Sequence, residues 1–392
     1  MKQVINTKTI PIKMWLDTLE QGAIAQVHNL AQLPFAFKHI AIMPDAHCGY
    51  GMPIGGVLAT VDQIIPNAVG VDIGCGMRAL RFPVEAEHVT RDQLKSICGR
   101  IRRMVPVGFK KHSTRAHHTH MPNQDRNVLG GICMQEYSNA AKSLGTLGGG
   151  NHFIELQRGS DGFLWAMVHS GSRNLGTKVA KYYNEVAKAS NEHWGSAVPK
   201  HHELAHLPIK SKQGRDYITE MNYCIEFAKL NREDMMSRVS SAVILELGIE
   251  EAWEFKHIDI AHNYARVEHH FGENVIVHRK GATSARNGEI GIIPGSQGTS
   301  SYIVKGKGNL ESFMSCSHGA GRSMSRSYAK KNLNLEHEKL LLDQQGIVHS
   351  VRTESDLDEA VGSYKDIHEV MANQTDLVDI VTELQPLAVV KG

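Results

Sequence analysis

The clearest helical period in the chain opens at Thr90, after which Leu94, Ile97, Cys98, Ile101 and Val105 recur at three- and four-residue spacing until Pro106 ends them. Thr90 and Gln93 stand at capping-box spacing, so a helix is predicted to start there. A longer pattern runs from about Tyr217 to Leu247, with Ile218, Cys224, Ile225, Ala228, Met235, Met236, Val239 and Val243 as its apolar face. Phe163–Val168 is instead unbroken apolar sequence, the signature of a strand buried on both sides, and it ends at His169. Val57–Val61, a run reaching Val71, Val275–Val277 and Ile290–Ile293 are further strand candidates, and Ser323–Lys331 reads as a helix. Between these lie stretches with neither period. Residues 34–82 are dense in glycine and proline, and Met43 to Gly51 is punctuated as a loop. Residues 107–140 carry Lys110, Lys111, His112, Arg115, His117, His118 and His120, and read as a solvated loop in preference to a nucleic-acid contact. Residues 190–213 are again polar and rich in histidine. Nothing in the pattern marks a linker or repeat, so one interwoven domain over 1–392 is expected.

Composition narrows this picture in three ways. An apolar fraction of 41% and a charged fraction of 21% describe a globular chain without a membrane span. The net charge of +2 means that a nucleic-acid partner must be met by a local basic patch. The 23 histidines favour metal or phosphoryl chemistry, because neutral imidazole is the commonest metal ligand. The six cysteines lie far apart with no CxxC pair, against a disulfide framework or a zinc knuckle. Met1 to Lys8 lacks a signal-peptide pattern, so a cytoplasmic location is expected.

Candidate chemistry gathers where glycines bare the backbone. In Gly70-Val71-Asp72-Ile73-Gly74-Cys75-Gly76 a carboxylate and a thiol three residues apart can share one cavity and grip a transition ion. Asn151-His152-Phe153-Ile154-Glu155 follows the glycine run 145–150, where a ligand can approach closely. His169 precedes Ser170-Gly171-Ser172-Arg173, and His262-Asn263 supplies another candidate donor. Each histidine alone reads as a satisfied core residue; together with Asp72 and Cys75 they suggest one metal centre. Ser317-His318-Gly319-Ala320-Gly321-Arg322, with Arg326 four residues on, reads as a small-residue turn opening a helix that can hold a phosphate beside His318, with both arginines on one helical face. The plainer alternative is a surface turn. Walker A, Lys-x-Asp-Gly and H-E-x-x-H patterns are absent, against P-loop NTPases, lysine-using ligases and zincin proteases.

Laid end to end, these segments resemble the RtcB family of RNA ligases over nearly the whole chain. The resemblance is carried also by Met43-Pro44-Asp45 with His47, Gly145-Thr146-Leu147-Gly148, Lys280-Gly281-Ala282, Pro294-Gly295-Ser296 and Lys391-Gly392. It implies a mixed α+β domain with its active site in a central cleft. The implied activity joins an RNA 3′-phosphate or 2′,3′-cyclic phosphate end to a 5′-hydroxyl end, using GTP and two manganese ions, in tRNA splicing or RNA repair. On this resemblance His318 is the nucleophile that carries GMP, and Asp72, Cys75, His152, His169 and His262 hold the metals, with Cys75 bridging them. Asn151, His152, Phe153, Ile154, Glu155, His262, Asn263, Pro294, Gly295, Ser296, Gln297, Ser301, His318, Gly319, Ala320, Gly321 and Lys391 would contact the guanylate. Arg173, Arg322 and Arg326 would grip RNA phosphates, and an accessory activator protein is a possible partner. Gln297 stands where the family usually has Met, and Asn174 where Gly is usual. The rival readings are a metal-dependent phosphoesterase acting on RNA ends and a non-catalytic RNA-binding protein.

Overall fold

A computed structural model describes residues 1–123, 130–249 and 257–391. Two large sheets dominate. The first runs, in spatial order, Gln3–Ile5, Ile12–Met14, Ala36–Tyr50, Met52–Thr60, Glu273–Lys280 and Asn263–His270. The second runs His257–Ala261, Gly76–Glu85, Phe163–Ser170, Phe153–Gly159, Val378–Lys391, Ser301–Gly306 and Ile290–Ile293. All pairings in the two sheets are antiparallel except that of Ile12–Met14 with Ala36–Tyr50. This is the mixed α+β architecture expected.

Phe163–Ser170 is buried on both faces, as its apolar run predicts, and its two sets of side chains go to different cores. Leu164, Ala166 and Val168 pack with Ile97, Ile101, Met235, Met236 and Val239, the apolar faces of helices Arg91–Met104 and Lys212–Leu247. Trp165 and Met167 point to the other side, against Met77, Ile292, Ile303 and Leu384. The capping box at Thr90 forms as predicted: its hydroxyl accepts from the Gln93 N–H, and Gln93 Oε1 accepts from the Thr90 N–H at 2.9 Å.

Several local expectations are overturned. The stretch Met43 to Tyr50 continues the strand Ala36–Tyr50; its pairing with Met52–Thr60 slips between Ile42 and His47 and again before Tyr50, so proline and glycine mark irregularities within a ladder. The run reaching Val71 is the short helix Pro66–Val69, with Pro66 at a helix start, where its missing N–H costs nothing. Within 107–140 the chain forms short helices Ile132–Gln135 and Tyr137–Ser143, while 124–129 lie outside the described residues. The helix read from Ser323 starts at Arg326 with Ser325 as its N-cap. Leu175–His193 is a further helix, whose Val179, Tyr183 and Ala187 line a buried face at four-residue spacing. No described helix is long and apolar enough to cross a membrane.

Candidate active site

The alternation that sends Leu164, Ala166 and Val168 toward the helices places His169 on the opposite face, next after Met167. Phe153 is its cross-strand partner, and Gly76 pairs with both Ser170 and Ala261, which sets Cys75, His169 and His262 at the ends of adjacent strands. The His262 N–H donates to the Cys75 carbonyl at 2.8 Å. His152 enters from the residue before Phe153. The Cys75 Sγ lies 3.5 Å from His152 Nε2 and 3.3 Å from His169 Nε2, and Asp72 Oδ2 lies 3.1 Å from His152 Nε2. Ligand atoms of Cys75, His169 and His262 fall within 4.8 Å of one another, as do those of Asp72, Cys75 and His152. The sulfur belongs to both groups. A Cβ on Gly171 would stand 2.3 Å from Asp72 Oδ1, so only glycine leaves room for that carboxylate.

The donor set fits a divalent transition ion. His152 Nδ1 bonds the Leu147 carbonyl at 3.0 Å and His169 Nδ1 the Asn151 carbonyl at 3.1 Å, so each Nδ1 carries the proton and Nε2 turns a lone pair into the cluster. His262 Nδ1 is buried and, among the described residues, lacks a hydrogen-bond partner, which fits a cation-binding role for this ring. Burial, then the neighbouring histidines, hold His169 and His262 well below the ordinary imidazole range, in the neutral form that binds metal. Burial and then Asp72 push the Cys75 thiol up, so a nearby cation is what would make it a thiolate. Burial pushes the Asp72 carboxyl up too, but the hydrogen bond and charge of His152 outweigh it and leave the group below its usual range.

Two buried residues of helix Lys212–Leu247 hold this scaffold from behind. The Arg232 guanidinium donates to Gly74 O at 2.9 Å and Ser170 O at 3.1 Å while forking onto Asp259 at 3.0 and 2.7 Å. Asn231 Oδ1 accepts from the N–H groups of Gly145 and Thr146, and its Nδ2 donates toward the Thr146 and Gly171 carbonyls and the Ser170 hydroxyl. One helical turn thus fixes the backbone beside Cys75, His169 and the glycine run before His152.

His318 follows the strand Ser315–Ser317 rather than opening a helix, and Arg322 lies in the turn after it, off the helix that starts at Arg326. The reading of a helix N-terminus with both arginines on one face is therefore corrected. What positions His318 is Asp45, a fully buried carboxylate that the loop-like punctuation around it concealed. Asp45 Oδ2 accepts from His318 Nδ1 at 2.7 Å, His318 N–H at 3.0 Å and Gly319 N–H at 3.2 Å. Donation from Nδ1 leaves the Nε2 lone pair free, the requirement for a nucleophilic imidazole. The ring meets His262 edge-on at 4.8 Å between centroids, beside the donor cluster. Gly321, at φ +74°, passes so close to Asp45 that a Cβ would lie 2.1 Å from its carbonyl oxygen.

The donor cluster and His318 line one cleft of about 1330 Å³. Of the candidates for nucleotide contact, Asn151, His152, Phe153, Glu155, His262, Asn263, Pro294 to Gln297, His318 to Gly321 and Lys391 face it. Ile154 does not; strand alternation turns its side chain into the helix-covered core. Ser301 stands behind the wall, its Oγ accepting from the Gly295 N–H at 3.1 Å. Gln297 donates to the Glu359 carbonyl at 2.8 Å. Arg173, Arg322 and Arg326 all line the cleft. Arg322 and Arg326 meet at buried Glu359, 3.3 and 2.9 Å away, with Lys391 4.0 Å from the same carboxylate. Three cations share one carboxylate, leaving surplus positive charge. Burial pushes the Glu155 carboxyl up to about 8, with Gln157 and Lys391 opposing it. Asn174 sits at φ +71°, a left-handed conformation that asparagine tolerates better than other non-glycine residues.

Comparison with known proteins agrees in extent with this geometry. The family model described as tRNA-splicing ligase RtcB matches residues 26–134 and 130–392. The chain is 40% identical to the RNA-splicing ligase RtcB of Escherichia coli K12, over 100% of this chain and 99% of that one. It is 32% identical to the tRNA-splicing ligase RtcB of Thermococcus kodakarensis, over 96% of this chain and 91% of that one.

Proposed function

This chain belongs to the RtcB family, and from that premise we propose that it is an RNA ligase, with residues 1–392 acting as one catalytic unit. It joins an RNA 3′-phosphate or 2′,3′-cyclic phosphate end to a 5′-hydroxyl end with GTP as the energy source. The observation that carries the reading is the pairing of His318 Nδ1 with buried Asp45 at 2.7 Å, which aims a free imidazole nitrogen beside a donor cluster built on Cys75. Asp72, Cys75, His152, His169 and His262 would hold two manganese ions with the sulfur shared. When bound, the metals supply charge neutralisation at the phosphates and, for a cyclic phosphate, an activated water.

The protein's own groups account for the remaining steps. The His318 Nε2 lone pair attacks the α-phosphorus of GTP, an N–P bond forms and pyrophosphate leaves. Asp45 stabilises the positive charge that develops on the ring. An oxygen of the RNA 3′-phosphate then displaces His318, which recovers its lone pair, and RNA capped by a diphosphate-linked guanosine results. The 5′-hydroxyl oxygen attacks the RNA phosphorus, loses its proton to solvent and expels GMP. Glu155 and Lys391 line the cleft where the guanylate binds, and Lys391 supplies positive charge to it. Arg173, Arg322 and Arg326 supply positive charge for RNA phosphates. Spliced tRNA and repair of other cleaved RNA both fit these ends.

Incubation with manganese and GTP labelled on the α-phosphate tests this. Acid-labile, alkali-stable label on the protein is expected, absent in His318→Ala and slowed by roughly 10²–10⁴-fold in Asp45→Asn, the scale for a lost orienting carboxylate. Metal-loaded protein that takes no label would sink the ligase and leave a metal-dependent phosphoesterase.

A further inference from the structure

Phe109 stands fully exposed, followed by Lys110 and Lys111, and all three border the cleft. Isolated surface apolar residues are ordinary; the setting of this one is not. Its turn is pinned: Gly108 N–H donates to Gly148 O at 2.8 Å, Leu147 N–H to Pro106 O at 2.9 Å, and Arg173 Nη2 reaches Gly108 O at 3.5 Å. The backbone is thus tied to the glycine run that leads into His152, while the ring touches only solvent. Among the described residues, neither the Lys110 nor the Lys111 ammonium has an ion-pair or hydrogen-bond partner. A fixed aromatic face beside two free cations matches single-stranded nucleic acid, whose bases stack on the ring and whose phosphates meet the charges.

We propose that Phe109, with Lys110 and Lys111, forms a stacking platform at the cleft rim that holds an unpaired RNA nucleotide next to the reacting end. The inference rests on the ligase reading for its choice of RNA. Because the ring packs against none of the described residues, its removal is expected to leave the fold intact.

The test is equilibrium binding of a short fluorescent single-stranded RNA ending in a 3′-phosphate to the full chain, followed by anisotropy. Phe109→Ala is expected to weaken binding about 5- to 150-fold with an unchanged melting temperature, and Phe109→Trp to restore it, its fluorescence quenched by the RNA. The Phe109→Ala loss should disappear on RNA carrying abasic sites. Replacing both lysines with glutamine should lower the slope of log K against log salt by about 1.4, which Phe109→Ala should not do. Binding by Phe109→Ala within about twofold of wild type, or an equal loss on abasic RNA, overturns the proposal, as does a loss traced to a change in oligomeric state by sedimentation. Wild-type labelling by GTP and end joining are scored separately. Their failure would discard the ligase while the binding comparison still decides the platform.

Discussion

The donor cluster around Cys75 and the Asn231–Arg232 pair behind it are both polar and, half-buried Asp72 apart, both buried, yet they are built on opposite rules. Arg232 and Asn231 are closed: their donors and acceptors are matched to Asp259 and to backbone groups of three loops. The cluster is open, with two imidazole Nε2 atoms and the sulfur converging on one another and His262 Nδ1 unmatched. An unmatched buried polar group calls for a water, strain or a ligand to account for it, and in the cluster several potential donors converge on one point. Buried polarity therefore marks a site by what it lacks.

The contrast predicts different consequences for the two regions. Arg232→Ala, which leaves Asp259 with Arg78 at 3.5 Å and frees the Gly74 and Ser170 carbonyls, should cost about 3 kcal/mol in denaturant unfolding; a loss below about 1 kcal/mol would mean that the closed network is not structural. Glu155 stands between the two kinds, buried at the cleft wall with Gln157 as its hydrogen-bond donor at 2.5 Å. Its carboxyl, at about 8 when folded against 4.5 ordinarily, keeps its proton while the unfolded chain loses one, so stability falls as pH rises between those values. Glu155→Gln should erase that slope, with a gain of about 2–4 kcal/mol at pH 8 and none below pH 4.5; parallel pH–stability curves would refute it. Manganese at about a hundred times its dissociation constant should stabilise the wild type by about 2.7 kcal/mol, reversed by chelator. His262→Ala should abolish most of that gain and also cost about 2–4 kcal/mol without metal, since the buried ring packs edge-on against His169 and His318; a manganese-dependent gain equal to that of the wild type would remove His262 from the donor set.

The same contrast explains what could be read from sequence. Open sites advertise themselves: Asp72, Cys75, His152, His169 and His262 are polar residues at strand ends or beside glycine runs, and the structure gathers all five. Closed positions do not. Asn231 and Arg232 fall in a helix whose apolar period is already satisfied by Ala228, Met235 and Met236, so their burial is decided by loops distant in sequence. Asp45 was hidden because proline and glycine mark a bulged strand and a loop alike. Ile154 was misplaced for want of register, as the alternation Phe153, Ile154, Glu155 sends only its outer members to the cleft. The helix Leu175–His193 had a legible period that the nearby histidine-rich stretch obscured.

Strand Val378–Lys391 lies in the interior of its sheet, between Phe153–Gly159 and Ser301–Gly306. During vectorial synthesis the neighbours it joins emerge first and must wait with unpaired edges until residue 391 leaves the ribosome. Asp45 likewise waits 273 residues for His318. A nascent chain therefore carries neither a finished second sheet nor a His318 held by Asp45 until these late segments have emerged.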